Sequence, residues 1–393
     1  MYKHAFIGLV FLIITFVLLG VLAFHNIEKT KIWVATGSGD VELAYSVNGI
    51  EWTGVDGLFD GGSGNQVHAN QGRWVVVGED SSTEANNIWW SDDARNWFSA
   101  DSSVSDFEGP FGDQGYGMSV YYGSKIWVAT GDSDDGSIWW STDRKLWTPV
   151  KNVDFSGGGS IVKYLGGIWL VGGIRDSDTD NILYYSEDGK NWKASSFPDN
   201  GTNAYINDFS YQDDIWLAGG SGQDNTVWYS TDKGKSWTGS DGIPFTTSGV
   251  SRKFQYYKGK WFVTGEGDQE LVYSSEDGMT WDSINLPQIA GPSISGYQIA
   301  VLDGKLYAVG QINGEGGYIV SENGNDWKFI TDEIIGSADF FSEAGFKDGL
   351  YVFGNENGDA SLVYSDSATS GSWNIVSENP FGSTGSIESL IFG

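Results

Sequence analysis

The chain contains no cysteine among its 393 residues, which excludes a disulfide framework, thiolate zinc sites and cysteine nucleophiles. Basic residues are scarce: 22 Lys and Arg face 52 Asp and Glu, a formal net charge of -30. Arginine occurs only at positions 73, 95, 144, 175 and 252. No cationic face is available to lie along a phosphate backbone, so nucleic acid is not expected as a partner. Long apolar runs are also missing, with one exception at the amino terminus. What the chain has is 56 Gly together with 19 Trp, 19 Tyr and 21 Phe. An apolar share of 40% with that many rings is too rich for a disordered chain, and a large buried core follows.

The exception runs from Ala5 to Phe24 without a charge. A helix of that length rises about 30 Å, enough to cross a bilayer core. Residues 1–24 are therefore expected to be a transmembrane signal-anchor, with 25–31 as a linker. The alternative is a signal peptide cleaved after Ala23, where Val21 and Ala23 supply the small residues. Either way the body, 32–393, is expected outside the cytoplasm: on a single-pass anchor at a cell surface, in a lumen or in a periplasm, or secreted if cleaved.

That body repeats one phrase. A strand such as Ile32 to Gly37 leads into an acidic loop, then an aromatic strand, then a Ser-x-Asp/Asn-Gly turn ending in Trp. The closing residues are Trp52, Trp97, Trp147, Trp192, Trp237, Trp281, Trp327 and Trp373, at intervals of 44 to 50 residues. Each copy holds four short runs of β-formers divided by Gly, Asp, Asn and Ser, which reads as a four-stranded antiparallel unit, strands A to D. In the third copy these are Met118 to Tyr122, Ile126 to Thr130, Ser137 to Trp140 and Leu146 to Val150. Such sheets cannot bury both faces alone, so radial stacking into a β-propeller is predicted. The first copy lacks an A strand, and the last is followed by an unpaired A-like run, Ser386 to Phe392. Pairing that run with Ile32 to Thr36 closes an all-β ring of eight blades; seven is the count if one copy is degenerate.

Ser230-Thr231-Asp232-Lys233-Gly234-Lys235-Ser236-Trp237 matches the Asp-box, Ser-x-Asp-x-Gly-x-x-Trp, at full length. Six copies are one residue shorter, and the last, Ser365 to Trp373, is longer with Ser367 in place of the acid. The repeat resembles that of the sialidase superfamily, xyloglucanase-type glycosidases, sortilin-type receptors and photosystem II assembly propellers. The resemblance implies that the box lies in the C–D turn, away from any catalytic face, so Ser230, Asp232, Gly234 and Trp237 are expected to be structural. It also implies what a sialidase would need: three clamping arginines and an Arg-Ile-Pro signature. The signature is absent, and Arg73, Arg95 and Arg144 fall in A–B or C–D turns.

Two-carboxylate glycoside hydrolysis needs only paired acids across a cleft. Strand A lines the centre of a propeller, and aligning the A strands puts Asp208, Lys253 and Glu343 at one position, with Glu388 expected there too and His68 two residues further on. Glu343 and Glu388 would sit in adjacent blades, which makes them, with Asp208, the catalytic candidates.

Charge placement gives a second signal. Every B–C loop carries acid, Asp134, Asp178, Glu266 and Asp268 among them, against the single base Arg175. The cations gather in the A–B and C–D turns, as at Arg95, Lys125, Lys190, Lys258 and Lys260. B–C and D–A connections share one face of the ring, so one face is anionic and the other mixed. The chain enters the ring on the mixed face, which is therefore expected to look toward the membrane. The longest D–A loop offers Phe107, Phe111 and Tyr116 beside the acids, an expected site for a protein or glycan ligand. Asp176, Asp178 and Asp180 alternate as calcium ligands do, so Ca2+ is the one metal considered. No other cofactor is expected. The functional expectation is a membrane-anchored recognition propeller; the alternatives are an exported Asp-box-type glycoside hydrolase and a membrane-complex assembly factor.

Overall fold

The structure is a computed structural model. It describes residues 32–81, 86–103, 109–112, 115–134, 136–151, 153, 155–175, 181–198, 204–242, 245, 249–267, 272–284, 286, 294–312, 315–331, 333–337, 340–355, 362–382 and 385–393. The apolar run 5–24 and the linker lie outside the described residues. Among those residues no helix is long and apolar enough to cross a membrane.

Eight antiparallel sheets form the molecule, each a meander in the order A-B-C-D. The A strands are Ser63–Asn70, Tyr116–Gly123, Gly159–Leu165, Tyr205–Gln212, Val250–Tyr257, Ile294–Leu302, Phe341–Lys347 and Ser386–Phe392. Each A strand neighbours the A strand of the blade on either side, and the last neighbours the first, so the eight make a closed inner ring. The ring is an eight-bladed propeller. Its final blade is completed from both chain ends: Ser386–Phe392 pairs with Trp33–Ser38, setting Trp33 opposite Phe392 and Val34 opposite Ile391. Gly393 N donates to Ile32 O at 3.1 Å and extends the pairing. We number this closing blade 1 and count onward along the chain.

The core is divided among the gaps between blades. Buried apolar residues of the described chain fall into eight clusters, each drawn from two adjacent blades. Strand B is buried on both sides, as Trp74 to Val77 shows: Trp74 and Val76 pack toward blade 1, Val75 and Val77 toward blade 3. A continuous apolar B strand is the local consequence, since the period-2 alternation survives only where one face is wet. The seven A–B connections within the chain are two-residue turns with both central residues at positive φ, as at Gln71-Gly72 and Lys258-Gly259. That is the hairpin turn whose twist matches the strands it joins.

The C–D turns of blades 1 to 5 repeat one hydrogen-bond pattern. In blade 4, Ser186 Oγ accepts from Gly189 N at 2.9 Å, while Asp188 Oδ1 accepts from Lys190 N and Asn191 N at 2.9 and 2.8 Å. Trp192 Nε1 then donates to Gly189 O at 3.1 Å and lays the indole over the turn. Ser230, Asp232, Gly234 and Trp237 do the same in blade 5, where the extra residue moves the Gly234 N donor four positions from its serine. Gly189 and Gly234 sit at φ of 72° and 74°, a conformation that glycine accepts without strain. Partial burial of Asp188 raises its pKa, but the N–H groups of Asn191 and Lys190 and the Asn191 and Ser186 side chains outweigh that and bring it down to about 2.

Outermost strands are short, two residues in blades 4, 5, 6 and 8. Their edges are partly covered from the preceding blade. Asp101–Ser102, leaving blade 2, runs parallel to Leu146–Pro149 of blade 3 and makes that sheet five-stranded, an addition absent from the sequence reading. Single parallel bridges, Ser196 to Ser236 and Asp241 to Thr280, do the same for blades 5 and 6. Covered edges resist pairing with another chain.

Two outcomes follow. Deleting 386–393 uncovers the free edge of Trp33–Ser38, and the shortened chain is expected to associate with increasing concentration by light scattering while the parent does not. Asp188→Ala is expected to cost only about 0.5–1 kcal/mol in urea unfolding, because the group is exposed and screened. Since its folded pKa lies below the unfolded value of about 3.9, the parent's advantage is full above pH 4 and fades as pH falls toward 2.

Candidate functional site

Every A–B pair carries a register shift at the same place. The extra residues are Asn65, Met118, Ser160, Asn207, Arg252, Tyr297, Ser342 and Glu388. A β-bulge bends the strand and turns two successive side chains toward the same side, here the channel. This corrects one expectation. Asp208, Lys253 and Glu343 do share the position after the bulge, but Ser389 holds it in blade 1, and Glu388 is the bulge residue itself.

The two channel-facing positions hold the ring together. Bulge residues donate to a backbone carbonyl of the next blade: Asn65 to Gly117 at 2.9 Å, Ser160 to Ile206 at 2.6 Å, Asn207 to Ser251 at 3.0 Å and Ser342 to Ile387 at 2.8 Å. Residues after the bulge accept from an N–H of the next blade: Gln66 from Val120 at 2.8 Å, Ser119 from Val162 at 3.2 Å and Asp208 from Phe254 at 3.0 Å. Glu343 takes the N–H of Leu390 in the same manner. Side chains thus satisfy inner-edge backbone groups that no fifth strand covers.

Asp208 is 2% exposed and bound also by Lys163 Nζ at 2.5 Å. Removing one partner of so buried a pair costs about 3–5 kcal/mol, which marks it as a stability element. Glu343 differs. It is half-buried, and Gln298 Nε2 donates to its Oε2 at 2.9 Å. Burial first, opposed by Lys253 and reinforced by the nearby Glu388 charge, pushes its pKa up to about 7. Glu388 is raised too, by burial against a hydrogen bond from Ser386 Oγ. Chemically this is an acid pair that holds a proton near neutral pH, with an ammonium beside it. His68, whose pKa burial lowers to about 4, stacks at 4.5 Å on Tyr121 and stays neutral.

Where the channel opens on the loop face, a second group gathers. Arg252 binds Glu266 and lies 5.4 Å from the Tyr297 ring centre, and Tyr297 stacks on Phe340 at 4.5 Å. Tyr205 lies close enough to Arg252 and Glu266 to feel both charges. Tyr116, a sequence-predicted ligand residue, begins its A strand opposite Asp132, half-exposed on the same rim. Arg252, Tyr297 and Phe340 were not singled out from the sequence. Arg252 and Tyr297 are large where the bulge residues Asn65, Ser160, Asn207 and Ser342 are small or amide-bearing, but the hydrophobic pattern does not mark the bulge.

Other described D–A aromatics pack against the blades. Phe111 is 2% exposed and packs at 5.7 Å on Trp139, Phe245 is buried against Tyr273, and Phe197 leans on Trp228. Phe111 and Phe245 pin loops onto blades and present no ring to a ligand, while Phe197 is half-buried. Asp134 is exposed on the loop face. Phe107, Asp176, Asp178, Asp180 and Asp268 lie outside the described residues. Among the described residues no three acids or histidines converge on a metal-sized site. In the described B–C and D–A loops the acids Asp40, Asp56, Asp60, Glu79, Asp134, Asp224 and Glu315 are exposed; the bases there are Lys151, exposed, and Arg175, buried.

Residues 204–341, which span blades 5 to 7, match the family described as the DUF6242 beta propeller domain. No curated protein matches the chain. By structure it is similar to the computationally designed Ika8 protein, at TM-score 0.55 and 12% identity over 83% of this chain and 90% of that one. It is similar also to a catalytically inactive virginiamycin B lyase from Staphylococcus aureus with quinupristin, at 0.52 and 13% over 77% and 94%. YCF48 from Cyanidioschyzon merolae gives 0.46 and 12% over 69% and 87%. At these identities the likeness shows the fold alone.

The acid pair makes stability depend on pH. The unfolded chain releases the Glu343 proton near pH 4.3, whereas the folded protein keeps it to about pH 7. Its contribution is therefore complete below about pH 4.3 and is lost as pH rises through 7. Glu343→Gln is expected to match the parent at pH 4 and exceed it by about 1–3 kcal/mol at pH 8 in urea titrations.

Proposed function

We propose that the chain is a recognition propeller, held at a membrane by residues 5–24 and displayed outside the cytoplasm, that captures a cationic segment of a partner protein on its loop face. The observation that carries this reading is the charged mouth of the channel. Exposed acids surround it, one exposed lysine opposes them in the described loops, and half-exposed tyrosines stand at its rim. Arg252 supplies the internal example: a guanidinium held by a carboxylate and placed over a Tyr face. An incoming Lys or Arg would meet the same chemistry, with the surrounding field raising its encounter rate. Repulsion among the acids is relieved when such a partner binds. Calcium at Asp176, Asp178 and Asp180 would relieve it locally and belongs to the same reading. The C–D turns, with their serine, acid and closing indole, favour kinship with Asp-box propellers, and the mixed face would look toward the membrane.

A second reading, an exported glycoside hydrolase, is favoured by the protonated Glu343 beside Glu388. Against it stands the commitment of Glu343 to Gln298 and to the Leu390 N–H, and of Asp208 to Lys163 and Phe254. Glycan cleavage lost in Glu343→Gln and Glu388→Gln would favour the enzyme.

The direct test titrates the full chain in detergent with a fluorescent nona-lysine peptide. Affinity is expected to fall steeply between 50 and 300 mM salt, and by about tenfold in Tyr205→Ala/Tyr297→Ala, equivalent to about 1.4 kcal/mol. A doubly substituted chain that binds as the parent does would place the site elsewhere.

A further inference from the structure

On the turn face, opposite the channel mouth's acidic rim, a cavity of about 370 Å³ opens between blades 7 and 8. That size falls within the range of about 300–1,000 Å³ typical of small-molecule sites. Two short side chains at this junction leave it room. At three earlier junctions a base in one blade's C–D turn covers the ring that precedes the serine of the blade before. Arg95 lies 5.9 Å from Tyr45, Lys145 4.5 Å from Trp90 and Lys190 3.9 Å from Trp140. Between blades 7 and 8 the same two positions are Thr369 and Val320, both on the cavity wall. A hydroxyl and an isopropyl group stand where those three junctions have a long cation and an indole or phenol, and the space that pair fills there is left open here.

The turn that forms the outer wall also departs from the pattern. Ser367 replaces the acid, and its hydroxyl pairs with that of Thr369 at 3.1 Å. Ser370 Oγ donates to Thr331 O at 3.0 Å, tying this turn to the outermost strand of blade 7 so that the cavity has a fixed far side. The floor is apolar, made by Val320, Ile330, Ala368 and the Tyr307 ring. The rim is polar and balanced: Lys305 and Lys328 against Glu322 and Asp326.

We propose that this pocket binds a neutral saccharide, at a site separate from the acidic face. A sugar presents C–H groups on its ring faces and hydroxyls around its edge, each both donor and acceptor. The floor suits the former and the rim the latter. A net anion would meet Glu322 and Asp326, and a net cation Lys305 and Lys328. Here Lys305 Nζ already lies 3.3 Å from Glu322 Oε1, and Asn323 Nδ2 donates to Asp326 Oδ2 at 2.8 Å. These contacts engage Lys305, Glu322 and Asp326 within the rim, and with Lys328 they set donors and acceptors side by side, as vicinal hydroxyls require.

Saturation-transfer NMR on the full chain in a sugar-free detergent tests this with methyl β-glucoside, lactose and cellobiose, against glucuronate, glucosamine and leucine. Saturable binding of at least one neutral sugar is expected, little changed between 50 and 300 mM salt. Val320→Trp and Thr369→Lys, which rebuild the missing plug, are expected to weaken it at least tenfold while the nona-lysine affinity stays at the parent value. Residue 369 is exposed, so Thr369→Lys carries the test alone if the tryptophan variant does not fold. No saturable binding of any of the three sugars, equal binding in the plugged variants, or preference for a charged or zwitterionic probe would each overturn the proposal.

Discussion

The inner edge of each blade is the constraint on which the rest of the molecule depends. A strand at the centre of a propeller has a neighbour on one side only, and its outward-pointing N–H and C=O groups face a narrow channel. The bulge shared by all eight A strands answers this by turning two consecutive side chains to the same side; in four blades the first donates to the next blade, and in four the second accepts from it. Asn65 with Gln66 and Asn207 with Asp208 show the complete pair. Chemistry-bearing residues in the channel are accordingly recruited to hold blade to blade before they are available to a substrate. Asp208 is fully used in this way. Glu343 meets the same demand while retaining a proton, because burial and Glu388 together outweigh Lys253.

The closure of the ring is the second consequence of edges. If Ser386–Phe392 did not pair with Trp33–Ser38, the molecule would expose a strand edge at one end of the chain and the flanks of Trp33 and Trp74 beside it. The pairing is also what gives Glu388 a place beside Glu343, since it brings the last strand of the chain next to the A strand of blade 8. One physical event, strand pairing across nearly the whole sequence, therefore sets both the integrity of the ring and the electrostatics of its channel.

The fold was legible because its signals repeat. Eight closing tryptophans, two-residue A–B turns and an unmatched final strand are local features whose meaning does not depend on tertiary context. The site was much less legible. Phe111 and Tyr116 are five residues apart in one loop and read alike, yet the first packs on Trp139 and the second stands on the channel rim. Loop backbone geometry decides between them, and aromatic content does not reveal it. Glu388 failed as an alignment for a related reason: a bulge inserts one residue without leaving a mark in the hydrophobic pattern. Arg252 escaped notice because the sequence shows it next to Lys253, as if both shared one environment, whereas the bulge gives one to the rim and the other to the acid pair.

In a repeat protein the informative residues are those that depart from the repeat. Where the pattern is kept, each side chain is answered by its neighbour: Ser186 and Asp188 by their own turn, Lys190 by Trp140, Asn65 by Gly117. Such a blade has little unspent capacity for a ligand. Departures leave something unanswered. Arg252 and Tyr297 put a guanidinium and a phenol on the rim where four other blades carry Asn or Ser, and Thr369 with Val320 leaves open a space that a base over a ring fills at three other junctions. These two places lie on opposite faces and differ in chemistry, one anionic and aromatic, the other neutral and mixed. Both proposed sites are built from residues outside the inner hydrogen bonds that keep the blades together, so the demands of closing the ring leave these positions free to vary.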